Sequence, residues 1–221
     1  MKYLFLVLLL IFSVWHLTES FRDRQKYRAY SKPFLVLSIL FYYVFAVSGK
    51  TSGILIAALA ASWLGDVLLI PKDMKWFIAG GISFMISHLL FIAVYVPRID
   101  FSAVNWFIII PAAAVYFGIA IFVILKLRSH ASKVMQIPLF AYLLFNSAMN
   151  VFALMQLVCA PSAGSVIAYL GAVFFFISDC SLFVVRFIED NKIIFKKHFT
   201  VMLTYILAEF LITQGVILLT V

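Results

Sequence analysis

Apolar residues in this chain come in long runs cut by short clusters of charge. Eight such runs read as helices, near 1–18, 33–49, 51–71, 76–97, 102–125, 134–160, 163–186 and 199–220. Most approach the ~20 residues that an α-helix needs to cross a hydrocarbon core of about 30 Å. The stretch from Val134 to Ser178 carries no charge, yet it is more than twice the length of one span. Pro161-Ser162-Ala163-Gly164 inside it marks a turn, so it divides into two helices. Lys2 followed by Tyr3 to Val14 also fits a secretory signal. No small-x-small cleavage site follows, and the flank Trp15-His16-Leu17-Thr18-Glu19 is bulky and then strongly basic, so the segment reads as a retained first span. Long loops are absent, and the expectation is one integral membrane domain over 1–221, all-α, with eight transmembrane helices.

Composition agrees with this pattern and narrows it. Of 221 residues, 66% are apolar and only 12% charged, and the mean hydropathy is +1.13. One core of this length cannot hide that much apolar surface, so the remainder faces lipid. The two cysteines, Cys159 and Cys180, belong to no CxxC or Cys/His metal pattern. The net charge of +8 would suggest nucleic-acid binding in a soluble protein, but the positions of the charges argue otherwise. Fourteen of the 17 basic residues fall in the first, third, fifth and seventh loops: Arg22, Arg24, Lys26, Arg28 and Lys32; Lys72 and Lys75; Lys126, Arg128 and Lys133; Arg186, Lys192, Lys196 and Lys197. The opposite side holds only Lys2, Lys50 and Arg98. This asymmetry predicts a cytoplasmic position for the basic loops, both termini on the non-cytoplasmic side, a cell-membrane location and no nucleic-acid partner.

Against this background, ionisable groups inside the spans stand out, because a charge at the bilayer centre costs at least ~2.5–3.5 kcal/mol. Asp66, Asp179 and Glu209 are such groups, and His88 joins them in an otherwise apolar helix. Counting ~1.5 Å per residue from the nearest basic loop places Asp66, Asp179 and Tyr205 in one layer roughly 9–11 Å deep. His88, Glu209 and Asn146 fall in a second layer at roughly 17–20 Å, with Tyr142 between the two. The pattern predicts a polar cavity open toward the cytoplasmic leaflet, with Lys32, just before Pro33, at its mouth, where an ammonium could hold a lipid phosphate. The same residues could instead form hydrogen-bonded or ion-paired contacts between helices. Trp63-Leu64-Gly65-Asp66-Val67-Leu68-Leu69 and Ile177-Ser178-Asp179-Cys180-Ser181-Leu182 end the third and seventh spans in related phrases, which suggests a 4+4 pseudo-repeat with one aspartate in each half.

Two carboxylates in a low-dielectric site can divide the roles of proton donor and water-activating base, as in glycoside hydrolysis, without a metal. No HExxH, GxSxG or Walker loop is present, and no cofactor or metal is expected. The chain resembles the YhhN family of membrane lysoplasmalogenases in Lys32-Pro33, Gly65-Asp66 with Leu68-Leu69, His88, Tyr142 with Met149, Gly171-Ala172 through Phe175 to Ser178-Asp179, and Thr204-Tyr205. The resemblance implies hydrolysis of the vinyl-ether bond of a lysophospholipid, releasing a fatty aldehyde and a glycerophospho-ethanolamine or -choline. It makes Asp66 and Asp179 the catalytic pair. Lys32 would take the substrate phosphate, with His88, Tyr205, Tyr142, Asn146 and Glu209 in supporting positions. The family pattern has Gln after Tyr-x-x-Ala, where this chain reads Tyr205-Ile206-Leu207-Ala208-Glu209. The competing expectation is a proton-coupled transporter using Asp66, Asp179 and Glu209 as a relay, and a third is a lipid-organising role that needs neither aspartate. Transport sites usually need Gly- or Pro-broken helices, and the third and seventh spans have no internal proline.

Overall fold

The long uncharged runs become helices because lipid offers no hydrogen-bond partner, so each segment must satisfy its own backbone. The computed structural model describes residues 1–47, 49–188 and 192–220. Among them are eight α-helices: α1 (Lys2–Phe21), α2 (Gln25–Ala46), α3 (Gly53–Leu68), α4 (Met74–Tyr95), α5 (Trp106–Leu127), α6 (Lys133–Cys159), α7 (Ala163–Phe187) and α8 (His198–Thr220). No strand occurs among the described residues. Side-chain caps fix several starts. Asn105 accepts from the Phe107 amide at 3.1 Å, and Ser162 and Ser165 form a reciprocal capping box at the start of α7, where the Pro161 turn was expected.

Seven of the eight helices are long and apolar enough to cross a membrane, and the protein is a multi-pass membrane protein. Two elements differ from the sequence expectation. The second helix begins at Gln25 rather than at 33, and Pro33 lies inside it. Charge marks where a chain leaves the hydrocarbon, not where its helix ends, and Lys and Arg side chains can snorkel from a continuing helix. His16 on α1 holds this extension through a 2.9 Å contact of its Nδ1 with Ser31 Oγ. The third helix has 16 residues instead of the expected run over 51–71. Ser52 caps its start, and Pro71 disfavours helical backbone at the preceding residue, so it ends before the apolar run does.

Six helices close into a ring through the neighbours α2–α3, α3–α4, α4–α6, α6–α7, α7–α8 and α8–α2. The first helix packs on α2 and α8, and α5 packs on α6 and α7, both at the periphery. Polarity is arranged inside out. The outer helices expose Leu10, Val14, Ile110, Phe122 and Leu125, whereas Ser62, Asp66, Ser87, His88, Asn146, Asn150, Asp179, Glu209 and Thr213 are buried. Such an interior is expected where polar groups mark a functional centre rather than a lipid face.

The α7–α8 pair depends on small residues. A methyl group at Gly215 would lie 2.5 Å from the Ala168 nitrogen, and one at Gly171 would lie 2.6 Å from the Ile212 nitrogen. Backbone approach of this kind is how membrane helices gain packing without a hydrophobic drive between them. Gly215→Val is expected to cost about 1–3 kcal/mol through overpacking. It should lower the thermal midpoint in detergent by several degrees, while Gly118→Val, where nothing lies within 4 Å, leaves it unchanged.

Candidate functional site

The ring delivers the two aspartates from α3 and α7 to one cavity of about 750 Å³. That volume is within the ~300–1,000 Å³ of small-molecule sites. Three of the basic connections border it through Asp23, Lys72 and Lys196, together with Arg28 and Arg186. Phe77, Phe84, Leu182 and Met202 add apolar wall to the same cavity, Phe77 directly beneath the Arg186 guanidinium. Basic, carboxylate and apolar side chains therefore line one space.

The two carboxylates are held differently. Asp66 uses both oxygens: Lys32 Nζ lies 3.3 Å from Oδ1, and the Tyr205 hydroxyl donates to Oδ2 at 2.9 Å. Asp179 gathers its partners on a single oxygen. The Tyr142 hydroxyl donates to Oδ2 at 2.8 Å and the Asn146 amide at 2.6 Å, while His88 Nε2 lies 3.4 Å from the same atom. Among the described residues no hydrogen bond or ion pair goes to Asp179 Oδ1, and Asp179 lines the cavity. Asn146 is held in turn by Asn150, whose amide donates to its carbonyls.

Aromatic edges join the two halves. Phe84 meets Tyr205 at 5.7 Å and Phe175 at 6.3 Å between ring centroids, and Phe175 meets His88 at 4.9 Å. Phe84 can sit there because residue 65 is glycine. A methyl at Gly65 would come within 2.6 Å of the Phe84 ring.

Asp66 and Tyr205, assigned to one layer, touch, whereas His88 and Asn146, assigned to a deeper layer than Asp179, both reach it, as does Tyr142. Lys32 lies in the wall of the cavity against Asp66, rather than at the start of its helix. Glu209 is wholly buried and close enough to interact electrostatically with Asp66 and Asp179. The hydroxyls of Ser62 and Tyr205 are nearby but short of hydrogen-bonding geometry, and they bond Ser87 and Asp66 instead. Among the described residues, no group of three or more His, Cys, Asp or Glu side chains is placed to hold a metal ion.

Sequence reasoning missed Phe84 as a site residue, since one phenylalanine among 24 carries no signal of its own, and it noted Phe175 only as part of the family pattern. It counted Arg28 and Arg186 only as topogenic charge. Arg28 pairs with Asp23 at 3.3 Å, and Arg186 donates to the Lys72 carbonyl at 2.8 Å and lies over the Phe77 ring. A model of the YhhN family matches residues 27–216, which contain every candidate residue of the site. No curated protein and no solved structure matches the chain.

Proposed function

The chain belongs to the YhhN family, and from that premise we propose that it is an intramembrane hydrolase that cleaves the vinyl-ether bond of lysophospholipids. The observation that carries this reading is the shared cavity, in which Asp66 and Asp179 lie with basic and apolar side chains in one space. A single-chain phospholipid has parts that complement all three: phosphate, ether bond and hydrocarbon.

The different settings of the two aspartates suggest the division of labour. Asp179 carries a proton on Oδ1, while Oδ2 accepts from Tyr142 and Asn146 as a carbonyl oxygen does. It gives that proton to the alkene carbon β to the ether oxygen, and the adjoining carbon becomes part of an oxocarbenium ion. Asp66, a carboxylate beside the Lys32 ammonium, accepts a proton from water as the water oxygen bonds to that carbon. The resulting hemiacetal loses the glycerol oxygen as an alcohol, the hydroxyl becomes the aldehyde carbonyl, and the net change is addition of one water. An ammonium has three donors, so Lys32 can hold Asp66 and still meet a substrate phosphate. His88 fixes the orientation of Asp179, and Glu209 supplies a further carboxyl behind the pair where the family pattern has an amide.

The charge asymmetry supports a cell-membrane protein with the cavity mouth in the cytoplasmic leaflet and both termini outside. A parallel 4+4 repeat also accords with the way the carboxylates are held. Asp66 takes Lys32 from the preceding helix of its own half and Tyr205 from the last helix of the other half. Asp179 takes Tyr142 and Asn146 from the preceding helix of its half, and His88 from the last helix of the first. The transport reading is less favoured because α3 and α7 are continuous helices through Asp66 and Asp179.

The test is aldehyde release from a lysoplasmalogen by the purified protein, with the matching ester lysophospholipid alongside. Aldehyde is expected from the vinyl ether only. Folded protein that releases none would overturn the proposal, and proton-coupled flux in liposomes would then test the relay.

A further inference from the structure

Beyond the apolar wall of the carboxylate cavity lies a second space of about 170 Å³, between α4, α6 and α7. The two share Leu69, Phe77, Phe84 and Leu182, so they are neighbours across these side chains. Small and irregular residues leave the gap. Gly81 faces Tyr142, with 4.0 Å from a built methyl position to the ring and nothing closer, and Pro138 and Ala141 border it from α6. Tyr142 is the one residue of its lining that bears a hydroxyl, and that hydroxyl is turned away to Asp179. Ile82, also in the lining, is half exposed on the outer surface of α4, so the space reaches the lipid side of the bundle.

We infer that this groove holds the hydrocarbon chain of a single-chain phospholipid whose headgroup lies among the basic side chains of the carboxylate cavity. Charge complementarity and adjacency choose the occupant. An anionic or zwitterionic phosphate suits Arg28, Lys72 and Arg186 in the first cavity, and a chain attached to it finds the apolar lining of the second on the far side of the shared Phe77 and Phe84. The residue that closes the groove from within, Tyr142, is also the one that orients Asp179, so the first carbons of the chain lie next to the acid. The bond to be cut is thereby set by how far the chain enters. The inference rests on the hydrolase reading for the chemistry at the carboxylates, but not for what occupies the groove.

A saturated alkyl lysophosphocholine with a diazirine in its chain tests the assignment without turnover. In nanodiscs, photolabel is expected on the segments 78–85 and 135–142, removed by excess unlabelled lysophospholipid but not by diacyl phospholipid. Gly81→Phe fills the gap and should reduce that label at least fivefold, and Ala141→Leu on the opposite wall serves if Gly81→Phe does not fold. Label spread over the exposed faces of α1 and α5, or competed equally by diacyl lipid, would overturn the inference by making the groove part of the ordinary lipid surface. Specific labelling without aldehyde release in the first assay would keep the groove and refute the hydrolase.

Discussion

Asp179→Asn is expected to lower aldehyde release by ~10²–10⁴-fold, the range that a positioned proton donor or acceptor contributes, and to leave the protein folded. An asparagine carbonyl can still accept from the Tyr142 hydroxyl and the Asn146 amide, the two hydrogen bonds that now converge on Oδ2. Its amide nitrogen then replaces Oδ1 at the cavity and cannot protonate carbon. Asp179→Ala should differ in kind, because it strands the buried Tyr142 hydroxyl and the Asn146 amide at a cost of about 1–3 kcal/mol for each one left unsatisfied. Turnover and thermal midpoint measured together separate these effects. If Asp179→Asn lowers stability but leaves turnover intact, the aspartate is a helix-packing residue and the proposed acid role is wrong. Tyr142→Phe should give an intermediate loss, about tenfold, since one of two donors to Oδ2 remains.

The arrangement behind these effects was partly legible in the sequence. Counting residues from basic loops set Asp66 level with Tyr205, and they touch, because in unbroken helices depth follows residue number. The count failed for Lys32, where charge was read as the end of a helix although α2 continues eight residues beyond Pro33 toward Gln25. That continuation lets Lys32 reach Asp66 instead of marking only the rim. Depth also says nothing about azimuth, so His88 and Asn146, assigned to another layer than Asp179, could not be matched to it before helix rotation was known. The place of Phe84 between the carboxylates was invisible for a different reason. Phe84 is placed by an absence, the missing side chain at Gly65 on the neighbouring helix.

Lys32→Met is expected to lower stability, by less than the about 3–5 kcal/mol that a fully buried ion pair loses with one partner. The side chain of Asp66 is 2% exposed, but that of Lys32 is 15% exposed and half-buried in the cavity wall. Without the ammonium, Asp66 keeps a single side-chain hydrogen bond, from Tyr205, and its other oxygen loses its ion-pair partner. The double variant Lys32→Met with Asp66→Asn removes both charges together, so most of the lost stability should return while turnover remains absent. Thermal unfolding of the two single variants and the double gives the coupling directly. Equal midpoints for wild type and Lys32→Met would mean that water or another cation screens Asp66, and the ion pair would then contribute nothing to the fold. Recovery of stability without recovery of turnover would place the same two charges in catalysis, because a purely structural pair can be replaced by a neutral one without loss of activity.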